Sequence, residues 1–194
     1  MFGMCSSKIY QLYPKRSGHA FVRRMIESWC PESKMIEVEN VSPKAFSMEY
    51  NDNGVVILQL RSFKNWIASY VKSNKSQRAV IKNVNWWWNV AKEFYSKTNH
   101  LKNYKVIKVY YDTFFTDRNY RKAICRELGG SYNEDRINEV GKEGRGSSFD
   151  GMEYNGKGQQ MNVLERYKGF ESIIDQVFKA KPKLKKFCKM HGEI

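Results

Sequence analysis

Histidine and cysteine are scarce in this sequence, and neither is arranged to hold a metal. The 194 residues include 3 His and 4 Cys. No C-x-x-C pair is present and no histidine cluster accompanies the cysteines, so we expect no metal site. The sequence also lacks a run of about 18 apolar residues, which a membrane span would need, and its first apolar run is too short for a signal peptide. These absences predict a cytoplasmic protein, with free thiols at Cys5, Cys30, Cys125 and Cys188.

Acidic residues are few relative to basic ones. Against 20 Asp+Glu stand 34 Lys+Arg, which gives a net charge of +14. Such a surplus predicts an anionic partner: nucleic acid, anionic lipid, acidic polysaccharide or a multiply charged nucleotide. The length fits one domain spanning residues 1–194, because no linker or internal repeat divides the chain.

Apolar strand-like segments alternate with segments of helical periodicity. This order predicts an α/β fold with three layers, α/β/α, around a central parallel sheet. Ligands of such sheets bind beyond the carboxyl ends of the strands. The predicted strands are residues 8–13, 35–41, 55–60 and 105–111, and the predicted helices are residues 20–29, 61–72, 77–98, 117–128 and 163–179.

Two segments near the C-terminus have unusual composition. Residues 139–160 contain six glycines and show no periodicity, which predicts a loop of the kind that carries function. Residues 179–189 contain six lysines. This lysine-rich segment is typical of a solvated helix face or a frayed end, and a role in holding an anionic acceptor is the alternative.

The segment YPKRSGHAF, residues 13–21, joins the first strand to the first helix. A glycine-containing turn that opens a helix presents free N–H groups and the positive end of the helix dipole. Lys15 and Arg16 add positive charge, so the segment predicts a phosphate or sulfate site, with a basic turn before a core helix as the alternative. The Walker A pattern G-x-x-x-x-G-K-[ST] is absent, which disfavours an ATPase or GTPase.

A second candidate anion site follows the strand at residues 55–60. Arg61 ends that strand, and Ser69 lies eight residues further along, within the next predicted helix. A guanidinium binds a phosphate through two hydrogen bonds, and a hydroxyl supplies a further donor. Taken alone, the two residues favour the other interpretation, a salt bridge and an ordinary helical serine.

Four segments in the same order resemble the motifs of the PAPS-dependent sulfotransferases. PKRSGHAF (residues 14–21) resembles that family's PKSGTTW, and LRSFKNWIAS (residues 60–69) resembles LRDPRDVVVS with the Arg-to-Ser spacing kept. Residues 110–129 resemble YEDL…DP…L..I..FLG, and residues 144–151 resemble the late glycine loop. The resemblance covers most of the chain and implies a P-loop NTPase-like topology.

The resemblance implies that the chain binds 3′-phosphoadenosine-5′-phosphosulfate (PAPS) and its product, adenosine 3′,5′-bisphosphate (PAP). The late glycine loop maps a basic contact to Arg145 and a backbone contact to Gly146, and the third motif maps an adenine contact to Tyr110. The residues implied for the 5′ phosphosulfate are Arg16, Ser17, Gly18, His19 and Ala20, and those for the 3′-phosphate are Arg61 and Ser69.

The implied reaction moves a sulfuryl group to a hydroxyl or amine acceptor. Arg16 or Lys15 would stabilise the charge that develops on the departing 5′ phosphate. A general base is commonly a histidine or a carboxylate, yet no histidine lies between residues 20 and 61. His19 could serve as the base, with Glu37 and Glu39 as alternatives, and for each of the three a structural or donor-binding role is the favoured interpretation.

The chain is short for this family, and the missing length falls where acceptor pockets are usually built. Either the acceptor site is open and suits an extended substrate such as a carbohydrate, or a partner chain in a homo-oligomer completes it.

The main rival function is a basic nucleic-acid- or nucleotide-binding α/β protein without sulfuryl transfer. Two further alternatives are a P-loop kinase-like enzyme and a sulfotransferase fold that has lost catalysis.

Overall fold

Short apolar segments form the strands of one parallel sheet, and amphipathic segments form the helices that cover it. A computed structural model describes residues 5–50, 52–74, 77–142, 147 and 149–194. In chain order, the elements are β1 (Lys8–Tyr13), α1 (His19–Trp29), β2 (Lys34–Glu39), α2 (Pro43–Glu49), β3 (Val55–Leu60), α3 (Phe63–Asn74), α4 (Gln77–Phe94), β4 (Lys105–Tyr110), α5 (Tyr111–Thr116), α6 (Arg118–Leu128), a 3-10 turn (Gly158–Gln160), α7 (Glu171–Ala180) and α8 (Pro182–Met190).

The sheet has the strand order β2-β1-β3-β4, and every adjacent pair is parallel. The two central strands are β1 and β3. Every residue of β3 is buried, as the uninterrupted apolar pattern of Val55–Leu60 predicts for a strand covered on both faces. Because all four strands run the same way, their carboxyl ends meet at one edge of the sheet.

Each face of the sheet has its own apolar core. On one face, β3 contributes Val56, Leu58 and Leu60, which pack with residues of α2, α3, α4, α7 and α8. On the other face, Val55 and Ile57 pack with residues of α1, α5 and α6. Alternate side chains of a strand point to opposite faces, so one apolar strand supplies both cores. The predicted α/β fold, with a central parallel sheet flanked by helices, is confirmed.

Two predictions for the C-terminal third need correction. The helix predicted for residues 163–179 begins only at Glu171, and residues 164–169 form turns. The physical reason is that backbone groups there are held by side chains: Asn65 donates to the carbonyl of Leu164 and accepts from the N–H of Tyr167. The lysine-rich segment forms the end of α7 and most of α8, and the apolar side of both helices is buried, so it is a helix face and not a frayed end. Helices α2 and α5 were not predicted.

The prediction of four free thiols is wrong for one pair. Cys5 and Cys30 form a disulfide, with their Cα atoms 5.9 Å apart, a separation within the usual range. Cys5 precedes β1, and Cys30 directly follows α1, so the fold brings together two cysteines that are 25 residues apart. Cys125 and Cys188 are free and buried. Disulfides persist mainly in oxidising compartments, so the bond does not support the predicted cytoplasmic location, which stays a prediction.

Within the described residues, no helix combines the length and the apolar character that crossing a bilayer requires.

Candidate anion-binding site

The loop between β1 and α1 has an unusual backbone conformation. Gly18, which precedes the first residue of α1, has φ 81°, and Arg16 has φ 70°. Both values lie in the left-handed region, which costs a non-glycine residue about 1–2 kcal/mol. A Cβ on Gly18 would lie 2.1 Å from a ring carbon of Tyr111. The loop therefore needs glycine at position 18 for two reasons, its backbone angle and its contact with Tyr111.

The start of this loop is held by two hydrogen bonds at Lys15, one to α3 and one to the segment after β2. The Trp66 indole donates to the carbonyl of Lys15 at 2.7 Å, and the Lys15 N–H donates to the Asn40 side chain at 2.8 Å. Within the described part of the chain, the N–H groups of Arg16, Ser17 and Gly18 form no hydrogen bond. Together with the first-turn N–H groups of α1, they form a set of donors available to an anion.

Arg61 and Ser69 contact each other directly. Arg61 Nη1 donates to Ser69 Oγ at 2.8 Å, and Arg61 Nη2 donates to the Val163 carbonyl at 3.1 Å. The guanidinium also lies 5.0 Å from the ring centre of Tyr111 and 3.8 Å from the Asp112 carboxylate. Burial lowers the pKa of Arg61. Because Ser69 Oγ accepts from Arg61, its own proton is free to donate to a ligand.

The loop and the Arg61–Ser69 pair line the same cavity, which has a volume of about 340 Å³. Its side chains carry far more positive than negative charge: four arginines and one lysine stand against two glutamates. The lining residues are Lys15, Arg16, Gly18, His19, Ala20, Phe21, Arg24, Glu39, Arg61, Ser69, Tyr111, Glu139, Val140, Gly141, Ser147, Met161 and Arg166. The sheet thus joins two segments, residues 15–21 and 61–69, that were predicted separately as anion sites.

The tyrosine at this cavity is Tyr111, whereas the sequence motif indicated Tyr110. Tyr110 is the last residue of β4, and its hydroxyl donates to Glu193 on the other side of the sheet. Tyr111 begins α5, lies under Gly18 and Arg61, and is buried. Successive strand residues point to opposite faces, so a shift of one position moves the ring from one core to the other.

His19 lies where the cavity approaches β2. Its ring stacks on Tyr13 with centroids 4.3 Å apart, and its Nε2 lies 3.7 Å from a carboxylate oxygen of Glu37. The other oxygen of Glu37 pairs with Arg23 at 3.0 Å. Burial lowers the pKa of His19, and Glu37 and Glu39 oppose that shift. The ring is therefore biased towards its neutral form, in which one nitrogen can accept a proton.

Two arginines of the cavity were not predicted as site residues. Arg166 donates to Ser147 at 3.0 Å and to Asp150 at 2.5 Å, and so ties the late loop to the cavity wall. Arg24 lies on α1 three residues after Phe21, among the apolar positions that face the core, and donates to the Glu139 carbonyl at 3.0 Å. The sequence could have indicated Arg24, because a charged residue stands there at a helical position that faces the core.

The remaining predicted site residues either do not line the cavity or lie outside the described residues. Ser17 belongs to the loop, but it is buried and does not line the cavity. Arg145 and Gly146 lie outside the described residues. In the described part of the chain, a second cavity of about 340 Å³ lies among α3, α7 and α8, with both acidic and basic residues.

The chain was also compared with known proteins. Comparisons with protein-family models, with curated proteins and with solved structures found no match.

Proposed function

We propose that the chain binds PAPS and transfers its sulfuryl group to a hydroxyl or amine acceptor. One observation carries the proposal: four of the five loop residues 16–20, all but Ser17, and the Arg61–Ser69 pair line a single basic cavity at the carboxyl edge of a parallel sheet. PAPS carries anionic groups on both sides of its ribose, so a ligand of this kind needs two separate anion sites. The order of the four sequence motifs supports the same assignment.

The binding roles follow from the donors at each end of the cavity. The loop donors and Arg16 suit the 5′ phosphosulfate, because N–H groups at a helix start and a guanidinium both favour an anion. Arg61 and the free proton of Ser69 suit the 3′-phosphate. The ring of Tyr111, which lies between these two ends, is buried and supports both of them. A P-loop NTPase-like topology, with Arg16 in place of a P-loop lysine, is part of the proposal.

The reaction breaks the bond between sulfur and the oxygen of the 5′ phosphate while a new bond forms from sulfur to the acceptor. Arg16 and Lys15 stabilise the negative charge that builds on the phosphate oxygen. The acceptor must lose a proton, and His19, biased towards its neutral form by burial, accepts it. Glu37 then stabilises the resulting imidazolium at 3.7 Å. Glu39, which pairs with Lys15 at 3.4 Å, has no role that the reaction requires.

The acceptor would approach from the β2 side of the loop, where His19 and Glu37 lie. Few residues separate β2 from β3, so little chain is available there to enclose an acceptor. This supports an extended acceptor, such as a carbohydrate, that binds in an open groove. A second copy of the chain that completes the site is the alternative.

Calorimetric titration with PAP and with adenosine 5′-phosphate tests the proposal. The native protein should bind PAP more tightly than adenosine 5′-phosphate, because only PAP reaches both ends of the cavity. Ser69→Ala and Arg61→Met should each reduce that preference by about 10- to 100-fold, the usual effect of losing a hydrogen bond to a charged group.

Arg121→Met supplies the matched control. Arg121 is another buried arginine that bonds to backbone carbonyls, at 2.9 and 3.0 Å, but it does not line the cavity. Its replacement should lower stability without changing the preference for PAP. Equal binding of the two nucleotides by the native protein would contradict the proposal.

The lysine-rich part of α7 and α8 favours a second candidate function, the binding of nucleic acid without sulfuryl transfer. Five of its lysines are exposed, and none is paired with an acidic residue in the described part of the chain. These residues are Lys179, Lys183, Lys185, Lys186 and Lys189. Binding of DNA that weakens steeply with salt, combined with no binding of PAP, would favour this candidate.

A further inference from the structure

Each of the two central strands carries one glutamine in an otherwise apolar or aromatic interior. Gln11 interrupts β1 (KIYQLY), and Gln59 interrupts β3 (VVILQL). Both side chains are fully buried. A buried amide costs about 1–3 kcal/mol unless it is hydrogen-bonded, so these two positions need partners that an apolar residue would not need.

The partners of both amides lie in the loop at residues 16–20. Gln11 Nε2 donates to the His19 carbonyl at 3.0 Å and to Gln59 Oε1 at 2.7 Å. Gln59 Nε2 donates to the Ser17 carbonyl at 2.8 Å and lies 3.4 Å from Ser17 Oγ. Gln11 is paired with Ile57 across the sheet, and Gln59 lies two residues further on. The two glutamines therefore share the sheet face on which α1 packs.

These bonds determine where the loop's N–H groups point. In a trans peptide, the carbonyl and the N–H of the same unit point in opposite directions, and no peptide bond in the described chain is cis. The Ser17 carbonyl belongs to the same unit as the Gly18 N–H, and the His19 carbonyl to that of the Ala20 N–H. Because both carbonyls point towards the sheet, the N–H groups of Gly18 and Ala20 point away from it, and both residues line the cavity.

We infer that Gln11 and Gln59 are positioning residues that orient the N–H groups of Gly18 and Ala20 towards the 5′ phosphosulfate. The inference rests on the proposed function, because it assigns these donors to one end of the bound nucleotide. The glutamines do not touch the ligand. They act through the loop backbone, and their effect is confined to the 5′ end, since among the described residues neither amide forms a hydrogen bond with Arg61 or Ser69.

Two nucleotides separate this role from a general effect on folding. PAP uses both ends of the cavity, whereas adenosine 3′-phosphate uses only the Arg61–Ser69 end. Gln59→Met keeps the volume and removes both the acceptor for Gln11 and the one bond that Gln59 donates to the Ser17 carbonyl. It should weaken PAP binding by roughly 5- to 10-fold, as expected for one neutral hydrogen bond, and leave the affinity for adenosine 3′-phosphate unchanged. Gln11→Met, which removes the bond to His19, should act in the same way and serves if the first variant does not fold.

Tyr10→Phe is the matched control, because Tyr10 lies on β1 beside Gln11 and its hydroxyl bonds to Asp52 at 2.6 Å, away from the loop. Its loss should lower stability and leave both affinities unchanged. If the glutamine variants bind PAP as the native protein does, or lose both nucleotides equally, the inference is overturned while the proposed function stands. If the native protein itself binds no PAP, the proposed function fails and the inference fails with it.

Discussion

Gly18 is the position at which the shape of the loop allows least change. Its backbone has φ 81°, and an added Cβ would lie 2.1 Å from the Tyr111 ring. Gly18→Ala should therefore lower the free energy of unfolding by about 2–5 kcal/mol, through left-handed strain and overpacking together. Urea denaturation measures the loss.

Gly156→Ala separates the two causes of that loss. Gly156 has φ 83°, but nothing lies within 4 Å of the added Cβ. This variant should lose only the backbone part, about 1–2 kcal/mol. Equal losses for the two variants would show that the contact between the loop and Tyr111 is absent.

Arg16 combines a cationic side chain with a backbone angle that suits glycine. Its φ is 70°, and its Nε is buried without a hydrogen bond in the described part of the chain. In Arg16→Gly, relief of the strained angle and the added freedom of the unfolded chain nearly cancel, so stability should change by less than about 1 kcal/mol. PAP affinity should fall by at least about 10-fold, because a charged hydrogen-bond donor is lost. Calorimetry and urea denaturation measure the two quantities.

Ser96→Gly is the control for Arg16→Gly. Ser96 also has a left-handed backbone, with φ 56°, and it lies after α4, outside the cavity lining. Its replacement should have a similarly small effect on stability and no effect on PAP binding. Unchanged PAP affinity in Arg16→Gly would contradict the assignment of Arg16 to the anion site.

The pKa of His19 depends on opposing influences from its neighbours. Burial is the largest and lowers the pKa, Glu37 and Glu39 raise it, and Arg23 and Arg16 lower it. Glu37→Gln removes a raising influence, so the pKa of His19 should fall further below its ordinary value of about 6.5. An NMR titration of the imidazole measures the change. Glu49→Gln, at an exposed position of α2, should leave this pKa unchanged, and an equal pKa in native and Glu37→Gln proteins would contradict the contact.

The same shift has a consequence for stability. With a lower pKa in the folded state, His19 binds fewer protons than it does in the unfolded chain. Its contribution to stability is complete above the unfolded pKa of about 6.5 and is lost as the pH falls through the folded pKa. His19 therefore adds to acid sensitivity in the range below neutral pH.

At the level of single residues, the sequence predicts which residues supply charge better than it predicts the direction in which a side chain points. Arg61 and Ser69 could be predicted as a pair because their spacing fits a strand end followed by a helix. The choice between Tyr110 and Tyr111 could not, because it depends on where β4 ends and the direction reverses at each residue. Gln11 and Gln59 carried a detectable signal, an amide inside an apolar strand, but their partners lie in another segment of the chain.

At the level of elements, Glu193 joins the end of the chain to the start of α3. It is buried, accepts from the Phe63 N–H at 2.8 Å, and accepts from the hydroxyls of Tyr95 at 2.5 Å and Tyr110 at 3.2 Å. Burial raises the pKa of Glu193, although the hydrogen bonds that it accepts act in the opposite direction. The carboxylate thus satisfies the first N–H of a helix at the cost of burying a charge.

This arrangement predicts how stability depends on pH. A carboxyl group with a raised folded pKa binds more protons folded than unfolded, so its contribution is present below the unfolded pKa of about 4.3 and is lost as the pH rises through the folded pKa. In Glu193→Gln the amide oxygen still accepts from the Phe63 N–H, and the side chain at position 193 no longer titrates. The native protein should therefore lose stability relative to the variant as the pH rises, which urea denaturation at several pH values measures.

Glu32→Gln, a change at an exposed carboxylate, controls for the loss of one negative charge. It should follow the native protein across the pH range. A constant difference in stability between the native protein and Glu193→Gln at all pH values would contradict the raised pKa.

The elements that the sequence predicted well are those whose pattern alone decides their structure. The bounds of β1 and β3 match the prediction because both segments are short, apolar and closed by Pro14 or Arg61. The start of α7 does not match the prediction. Residues 163–170 have helical periodicity, but their backbone is held by Arg61, which precedes α3, and by Asn65 in α3. Helix α5 follows β4 without an intervening loop, so no turn residue marks its start.

At the scale of the whole molecule, the parallel sheet brings the candidate site together. The loop after β1 and the turn after β3 become neighbours because β1 and β3 are adjacent and run in the same direction. This much could be predicted from the alternation of strands and helices, together with the rule that ligands bind at carboxyl ends. The disulfide between Cys5 and Cys30 could not, because it depends on how the segment before β1 passes the end of α1.

In the proposed function, the net charge of +14 and the basic cavity would act on the same ligand at different distances. The overall charge attracts any anion and is screened by salt. We expect the cavity to discriminate among anions, because its donors are fixed by hydrogen bonds to Ser69, to Val163 and, through the loop, to the sheet. Selectivity for PAP should thus persist at salt concentrations that weaken the binding of unrelated polyanions.

A crystal structure of the native protein with PAP tests the central claim most directly. We predict the 5′-phosphate within hydrogen-bond distance of the N–H groups of Gly18 and Ala20, and the 3′-phosphate on Arg61 and Ser69. An empty cavity in crystals grown with saturating PAP, or a nucleotide bound elsewhere on the molecule, would contradict it.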